Sequence, residues 1–240
     1  FGLVKKDKYV CLLVRDSKYL DTYHKTGADW SYHDYRNSDI DSYEEAIIAL
    51  VNKGYWVFRM GKIVREPLKI KHPRVIDYAN LKLRNDFLDI WLMANSYFTI
   101  STSTGLDDVS KAFRRPIVYV NFLHVGTFEF YSENYINQPK SLKLKKTGKF
   151  LSLLEIIKMG LMKPNIPPSS YEKSGIEIVD NSPEDIKNAV LEMEAKLSGT
   201  WKVEEKDENL QRLFFKQYNT WLNRYKYHGN IDPLGGISTT

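Results

Sequence analysis

Four consecutive hydroxyl residues and a glycine, Ser101, Thr102, Ser103, Thr104 and Gly105, stand between a strand-like run (Tyr97 to Ser101) and a helical one (Asp107 to Phe113) that ends before Pro116. Such a turn can seat a phosphate. Its hydroxyls donate to anionic oxygens, the glycine lets the backbone come close, and the start of a helix presents N–H groups and the positive end of its dipole. The same residue types also cap a helix where no ligand binds, and the segment by itself fits both readings.

In open α/β sheets, ligands bind beyond the carboxyl ends of the strands, so the polar residues just after each strand are the other candidates. These are Arg15 and Asp16 after the first strand, Arg59 and Gly61 after the second, and Asp77 after the third. A long connection without periodicity follows Asp16, and connections of that length in a compact domain are usually functional or disordered. This one holds Trp30, Tyr32, His33, Asp34, Tyr35 and Arg36 and is too aromatic for disorder. The stretch from Asp29 to Asn37 is therefore expected to fold over the cleft and bring His33, Asp34 and Arg36 to it; a loop that merely covers the sheet edge is the competing reading.

The elements that must position these residues alternate. Strands are expected at Tyr9–Arg15, Tyr55–Met60, Arg74–Tyr78, Tyr97–Ser101 and Ile117–Asn121, with a further strand at Gly175–Val179. Helices are expected at Tyr43–Lys53, Phe87–Asn95, after Gly105, at Leu151–Met159, Pro183–Leu197 and Glu208–Tyr225. Asp41 and Ser42 with Glu45 suggest the opening of the first helix and Gly54 its close, and Ser182 caps the helix at Pro183. Strand and helix in alternation predict an α/β fold, a Rossmann-like parallel sheet of at least five strands with helices on both faces. Pro164, Pro167 and Pro168 mark a linker. Residues 1–200 are read as one domain and 201–240 as a helical extension that packs back on it.

Composition narrows the classes. A chain of 240 residues that is 42% hydrophobic can bury a sizeable core. Its longest apolar run falls short of the ~20 residues of a membrane span, and Phe1 to Val10 lacks the apolar centre of a signal peptide. The single cysteine, Cys11, lies in an apolar strand, which fits a reducing, cytoplasmic setting. Phe1 in place of a methionine leaves room for a preceding domain. The net charge of +5 is modest and partly concentrated in Lys140, Lys143, Lys145, Lys146 and Lys149, a patch that could touch acidic lipid heads at the inner membrane face or simply be solvated. Nucleic acid is not expected, because no binding motif is present and the aromatics are not interleaved with basic residues. The histidines His24, His33, His72, His124 and His228 show no paired metal spacing. Asp39 and Asp41 have an Asp-x-Asp form, but Asp41 stands where a helix cap is needed. Metal and cofactor are not expected, and the Gly-rich dinucleotide and triphosphate motifs are missing.

The segments VCLLVRDSKYL, DWSYHDYRN, GYWVFRMGK, VIDYA, DFLDIWLMANSYFTISTSTGL and FRRPIVYVNF, in this order, resemble a family of bacterial glycosyltransferases associated with surface-polysaccharide synthesis. Their order is more distantly similar to the donor-binding, C-terminal half of GT-B fucosyltransferases. That resemblance implies that Arg15 binds the donor diphosphate, that Asp89 reads the edge of the donor base, and that Thr102, Ser103, Thr104 and Gly105 contact phosphate. Leu13 takes the place of a histidine in the His-x-Arg motif, so that histidine's contact is missing. The implied activity is metal-independent transfer of a sugar from a nucleotide-sugar donor to a cell-surface glycan, free or lipid-linked. Asp16, His33 and Asp34 are the candidate bases, and Arg15, Arg36, Arg59, Gly61, Asp77, Asp89 and Ser101 to Gly105 the donor-binding set. A sugar-nucleotide epimerase of the same architecture and a non-catalytic binding module are the alternatives.

Overall fold

The computed structural model describes residues 2–23, 31–123, 125–128, 132, 134–163, 166–225 and 236–237. Its centre is β1 (Tyr9–Leu13), five residues all buried. Being covered on both faces, this strand is continuously apolar rather than alternating. Val10 and Leu12 face one core and Tyr9, Cys11 and Leu13 the other. Around it lie β2 (Trp56–Arg59), β3 (Val75–Ile76), β4 (Phe98–Ser101), β5 (Ile117–Phe122) and β6 (Tyr135–Pro139), with the two-residue β9 (Gly236–Ile237) at the far edge. The sheet order is β3-β2-β1-β4-β5-β6-β9, and every pair is parallel.

On one face, α2 (Glu44–Asn52) and α7 (Pro183–Ser198) pack against each other and against Val10, Leu12, Val57, Ile100 and Val118 through Ile47, Leu50, Ile186 and Val190. On the other, α3 (Asp86–Asn95) and α4 (Asp107–Ala112) cover Cys11, Leu13 and Phe58 through Leu92, Met93, Leu106 and Val109. Each such side chain fully removed from water stabilises the fold by about 1.5–3 kcal/mol. The short α1 (Lys18–Tyr23) follows β1.

Local chemistry explains most boundaries. Asn85 caps α3 through Leu88 N–H, and Ser182 and Asp185 form a capping box on α7, which ends at Gly199 with φ +74°. At α2 the cap differs from expectation. Asp39, not Asp41, is the N-cap, of a 3-10 turn at Ile40–Tyr43 that leads into the helix, while Asp41 pairs with Lys69.

Four strands depart from the sequence reading. β6 and β7 (Ser141–Leu144) lie in the segment read as loop, and β9 in the stretch read as a helical extension. β8 (Ile176–Val179) leaves the parallel sheet and pairs antiparallel with β7 in a separate two-stranded ribbon. The ribbon, α5 (Leu153–Lys158), α6 (Pro168–Lys173) and α8 (Glu205–Tyr225) share a third core with β5 and β6, in which Phe128 meets Phe214 and Tyr218 at 5.4 and 5.7 Å between ring centroids. The helix after residue 200 thus packs on α5 and this aromatic cluster. No described helix is long and apolar enough to cross a membrane.

Candidate functional site

The sheet order turns at β1: α2 carries the chain from β1 toward β2 and β3, and α3 returns it to β4 on the other side. Loops that diverge from neighbouring strands open a crevice at such a point. A cavity of about 490 Å³ lies there, walled by Leu13 to Asp16 after β1, Met60 to Val64 after β2, Arg84, Asp86 and Asp89 at the start of α3, and Thr104 to Leu106 after β4. Six expected residues, Arg15, Asp16, Gly61, Asp89, Thr104 and Gly105, are brought together in its wall, while Arg36, Arg59, Asp77 and Ser101 to Ser103 are not among its lining residues.

Four wall residues carry a buried polar atom with no hydrogen-bond partner: Arg15 Nε, Arg84 Nε, Asp89 Oδ1 and Thr104 Oγ1. Buried polar groups are nearly always satisfied, and a cluster of exceptions on one cavity calls for a ligand or solvent to complete it. Arg15 is half-buried, and burial lowers its pKa first, the nearby Arg36 second, against Asp34 and Asp16. Arginine nevertheless keeps its charge in proteins. Arg36 donates through Nη2 to Ser103 O at 3.3 Å. Neither arginine forms a salt bridge among the described residues, although Asp34 and Asp16 act on Arg15 through space.

The hydroxyl turn is built differently from a simple phosphate seat. Buried Asp107 occupies it: Ser101 Oγ donates to its carboxylate at 2.6 Å and Thr104 N–H at 2.9 Å. Burial pushes the Asp107 carboxyl up, while Ser101, Lys111 and the Thr104 amide pull it down. Thr102 Oγ1 accepts from Arg15 N–H at 2.9 Å, and Ser103, at φ +61°, donates its N–H to Ser101 Oγ at 3.1 Å. Ser101 and Thr102 are therefore framework, and of the turn's side-chain hydroxyls it is that of Thr104 that belongs to the cavity wall without a partner.

Arg59 and Asp77 also turn inward. Arg59 is 1% exposed and donates through Nη1 to Glu66 O at 3.0 Å and Asp77 Oδ1 at 3.4 Å, with Asp16 Oδ2 at 3.9 Å from Nη2. Asp77 also accepts from Leu68 N–H and Asn80 Nδ2. This knot ties the 62–77 segment to the ends of β1 and β2, and Arg59, though its Nε has no partner, is buried and not part of the cavity wall. Gly61 sits at φ +143°, where a Cβ would meet Val64 Cγ1 at 2.7 Å.

Among the candidate bases, Asp16 accepts backbone N–H groups from Lys18 and Arg65, each at 2.9 Å. Asp34 is exposed, accepts from Asn37 Nδ2 at 2.9 Å, and lines a neighbouring recess of about 350 Å³ that shares Asp16 with the cavity. The side chain of His33, like Trp30 and the rest of 24–30, lies outside the described residues. Among those described, no group of three His, Cys, Asp or Glu side chains is placed to hold a metal ion.

Arg84 escaped the sequence reading. Its Nη2 donates to Asp89 Oδ2 at 2.7 Å and to Asp86 at 3.1 Å. Burial pushes the Asp89 carboxyl up, and Arg84 pulls it down. The signal was its place just before the helix that carries Asp89. A second omission is the tether behind the Arg36 loop. Lys140 Nζ reaches Asn37 O at 2.6 Å and Asp180 at 2.7 Å, and Asn121 joins Ser38 to Asn181. This overturns the lipid-facing reading of the lysine patch at its first member, because Lys140 is 5% exposed. Lys143 and Lys149 pair with Glu177 and Glu155, while Lys145 and Lys146 remain exposed.

The chain matches no protein-family model and no curated protein. Among solved structures it is similar to the dodecameric iron-containing heptosyltransferase TibC in complex with ADP-D-β-D-heptose, with 15% identity and a TM-score of 0.41 over 82% of this chain and 47% of that one. It is also similar to the iron-containing dodecameric glycosyltransferase TibC from enterotoxigenic E. coli H10407, with 14% identity and a TM-score of 0.45 over 84% and 50%. The chain spans about half the length of these structures. A likeness this slight carries no weight for activity.

Proposed function

We propose that this chain is the nucleotide-sugar-binding part of a glycosyltransferase that builds a cell-surface glycan without a metal ion. The observation that supports the reading is Arg15, in the cavity wall with the unpartnered Thr104 hydroxyl and without a described salt bridge, and Arg36, whose guanidinium bonds Ser103 O at the neighbouring turn. A planar guanidinium matches two phosphate oxygens at once. In this reading Arg15 and Thr104 hold the diphosphate, with Gly105 allowing close approach. Arg36 adds charge against the negative charge that grows on the leaving diphosphate as the glycosidic bond breaks. The apolar wall of Leu13, Met60 and Ile63 excludes water, and the Arg84–Asp89 end takes the remainder of the nucleotide.

The acceptor hydroxyl must lose its proton as it attacks the anomeric carbon. Asp34 suits that role better than Asp16, whose two oxygens already accept backbone N–H groups. A glycan acceptor, lipid-linked or not, follows from the family resemblance, and work on the cytoplasmic side of the membrane from the single buried Cys11.

Incubation with a panel of nucleotide sugars and a glycan acceptor tests the reading. Transfer of the sugar is the expected result. Interconversion of the donor would make the chain an epimerase, binding without turnover a ligand-binding module, and no binding of any nucleoside diphosphate would remove the site.

A further inference from the structure

Contacts from three strand ends converge on two residues, Asn37 and Ser38. Lys140 follows β6 directly and is buried. Its Nζ donates to Asn37 O at 2.6 Å and pairs with Asp180 Oδ1 at 2.7 Å. At the end of β5 the ladder to β6 shifts register between Val120 and Phe122, and the residue between them, Asn121, is fully buried with φ +54°. Such a bulge re-aims a side chain and is common beside active sites. Here Asn121 Nδ2 donates to Ser38 Oγ at 2.9 Å. Beyond β1, Arg15 O accepts from Ser38 N–H at 3.1 Å.

Asn37 passes this restraint forward. Its Nδ2 donates to Asp34 Oδ1 and its N–H to Asp34 O, both at 2.9 Å. A continuous line of contacts therefore runs from Asp180 through Lys140 and Asn37 to the Asp34 carboxylate. Lysine is almost never buried unless paired, and a buried charge is weak evidence for stability, since an apolar side chain of similar size often serves a fold as well. What the ammonium supplies and an apolar chain cannot is a directed bond to the Asn37 carbonyl.

We propose that Lys140 is a positioning residue for sugar transfer: by holding Asn37 O it sets the place of the Asp34 carboxylate beside the cavity. This rests on the reading of Asp34 as the base of a glycosyltransferase. Lys140 lines neither the cavity nor the neighbouring recess, so it acts through Asn37 and Asp34 alone. A group that takes a proton must be held to a fraction of an ångström, and a misplacement of about 1 Å can cost about 10²-fold in rate.

A double-mutant cycle between Lys140→Met and Asp34→Asn in the 240-residue chain tests the assignment, with kcat and nucleoside-diphosphate affinity both measured per folded molecule. Lys140→Met should lower kcat about tenfold or more and leave diphosphate affinity, which Arg15 and Thr104 provide, unchanged. In the Asp34→Asn background it should cost nothing further, because residues that act through one another are not additive. Should Lys140→Met fail to fold, Lys140→Gln, which keeps an amide donor, takes its place in the cycle. Amide hydrogen exchange over residues 34–38 gives a second readout that needs no turnover, and it should be faster in the variant. Unchanged exchange, an unchanged kcat, full activity in Asp34→Asn, or losses that multiply in the double variant would each overturn the proposal while leaving the glycosyltransferase reading of a transferring parent intact. A parent that transfers no sugar would defeat that reading, and this assignment with it.

Discussion

Arg15 and Arg59 are two arginines at the ends of adjacent strands with opposite fates. Both have a buried Nε without a hydrogen-bond partner, but Arg15 lines the cavity and forms no described salt bridge, whereas the Nη groups of Arg59 are taken by Glu66 O, Asp77 and Asp16 away from the cavity wall. Replacing Arg15 by Ala removes a charged hydrogen bond of about 1.5–3 kcal/mol from a bound diphosphate. Titration calorimetry with nucleoside diphosphates should show affinity lower by about tenfold or more, with the melting temperature little changed. Unchanged affinity for every diphosphate that binds the parent would eliminate the proposed contact. Arg59→Met should behave the other way. It strands Asp77 and part of Asp16 without their cation, a loss of about 3–5 kcal/mol for a buried pair, visible as a lower denaturant midpoint, while the folded fraction keeps its diphosphate affinity. The charge of either arginine is evident from its letter code, but the presence of a partner depends on residues seven and eighteen positions away in Arg59's case.

Among the elements, α5 offers a pH test with a definite sign. Lys149, then the Ser152 amide and hydroxyl, hold the Glu155 carboxyl down to about 2 from its ordinary 4.5. A carboxyl whose pKa is depressed on folding adds stability that is fully present above its unfolded value and is lost as pH falls toward the folded one. The stability gap between the parent and Glu155→Gln should therefore be constant from neutral pH to about 5, and close between about 4.5 and 2. A gap that does not narrow in thermal melts across that range would show that the capping box does not hold the carboxyl down. Helices of this kind, with a Ser at the cap and an acid three residues later, are legible from local spacing, as α5 and α7 both demonstrate. Strands are harder. Gly175 to Val179 reads as a strand and is one at Ile176–Val179, but its partner β7 comes from the lysine-rich stretch after β6, and nothing local distinguishes a ribbon strand from one in the main sheet.

For the molecule as a whole, two cores sandwich the first strands and a third, rich in aromatics, joins α8 to β5, β6 and the ribbon. Trp221 is 2% exposed in that third core. Trp221→Ala should cost about 3–5 kcal/mol, measured by chemical denaturation, and a loss below about 1 kcal/mol would mean that α8 is only loosely attached. Hydrophobic periodicity and local spacing already specified the α/β alternation, the two-sided burial of Tyr9 to Leu13 and the Ser182 cap of α7, because each depends on residues within a turn or a strand of one another. It also placed Arg15, Asp16 and the hydroxyl turn at strand ends. Only the tertiary structure decided which of those groups remain available. Asp107 fills the turn from within, Asp77 and Glu66 enclose Arg59, Asn37 and Asp180 hold Lys140, and Arg84 joins Asp89 at the cavity. Neutralisation and burial are pairwise properties of side chains brought together by the sheet order, and that order is not a property of any local stretch of sequence.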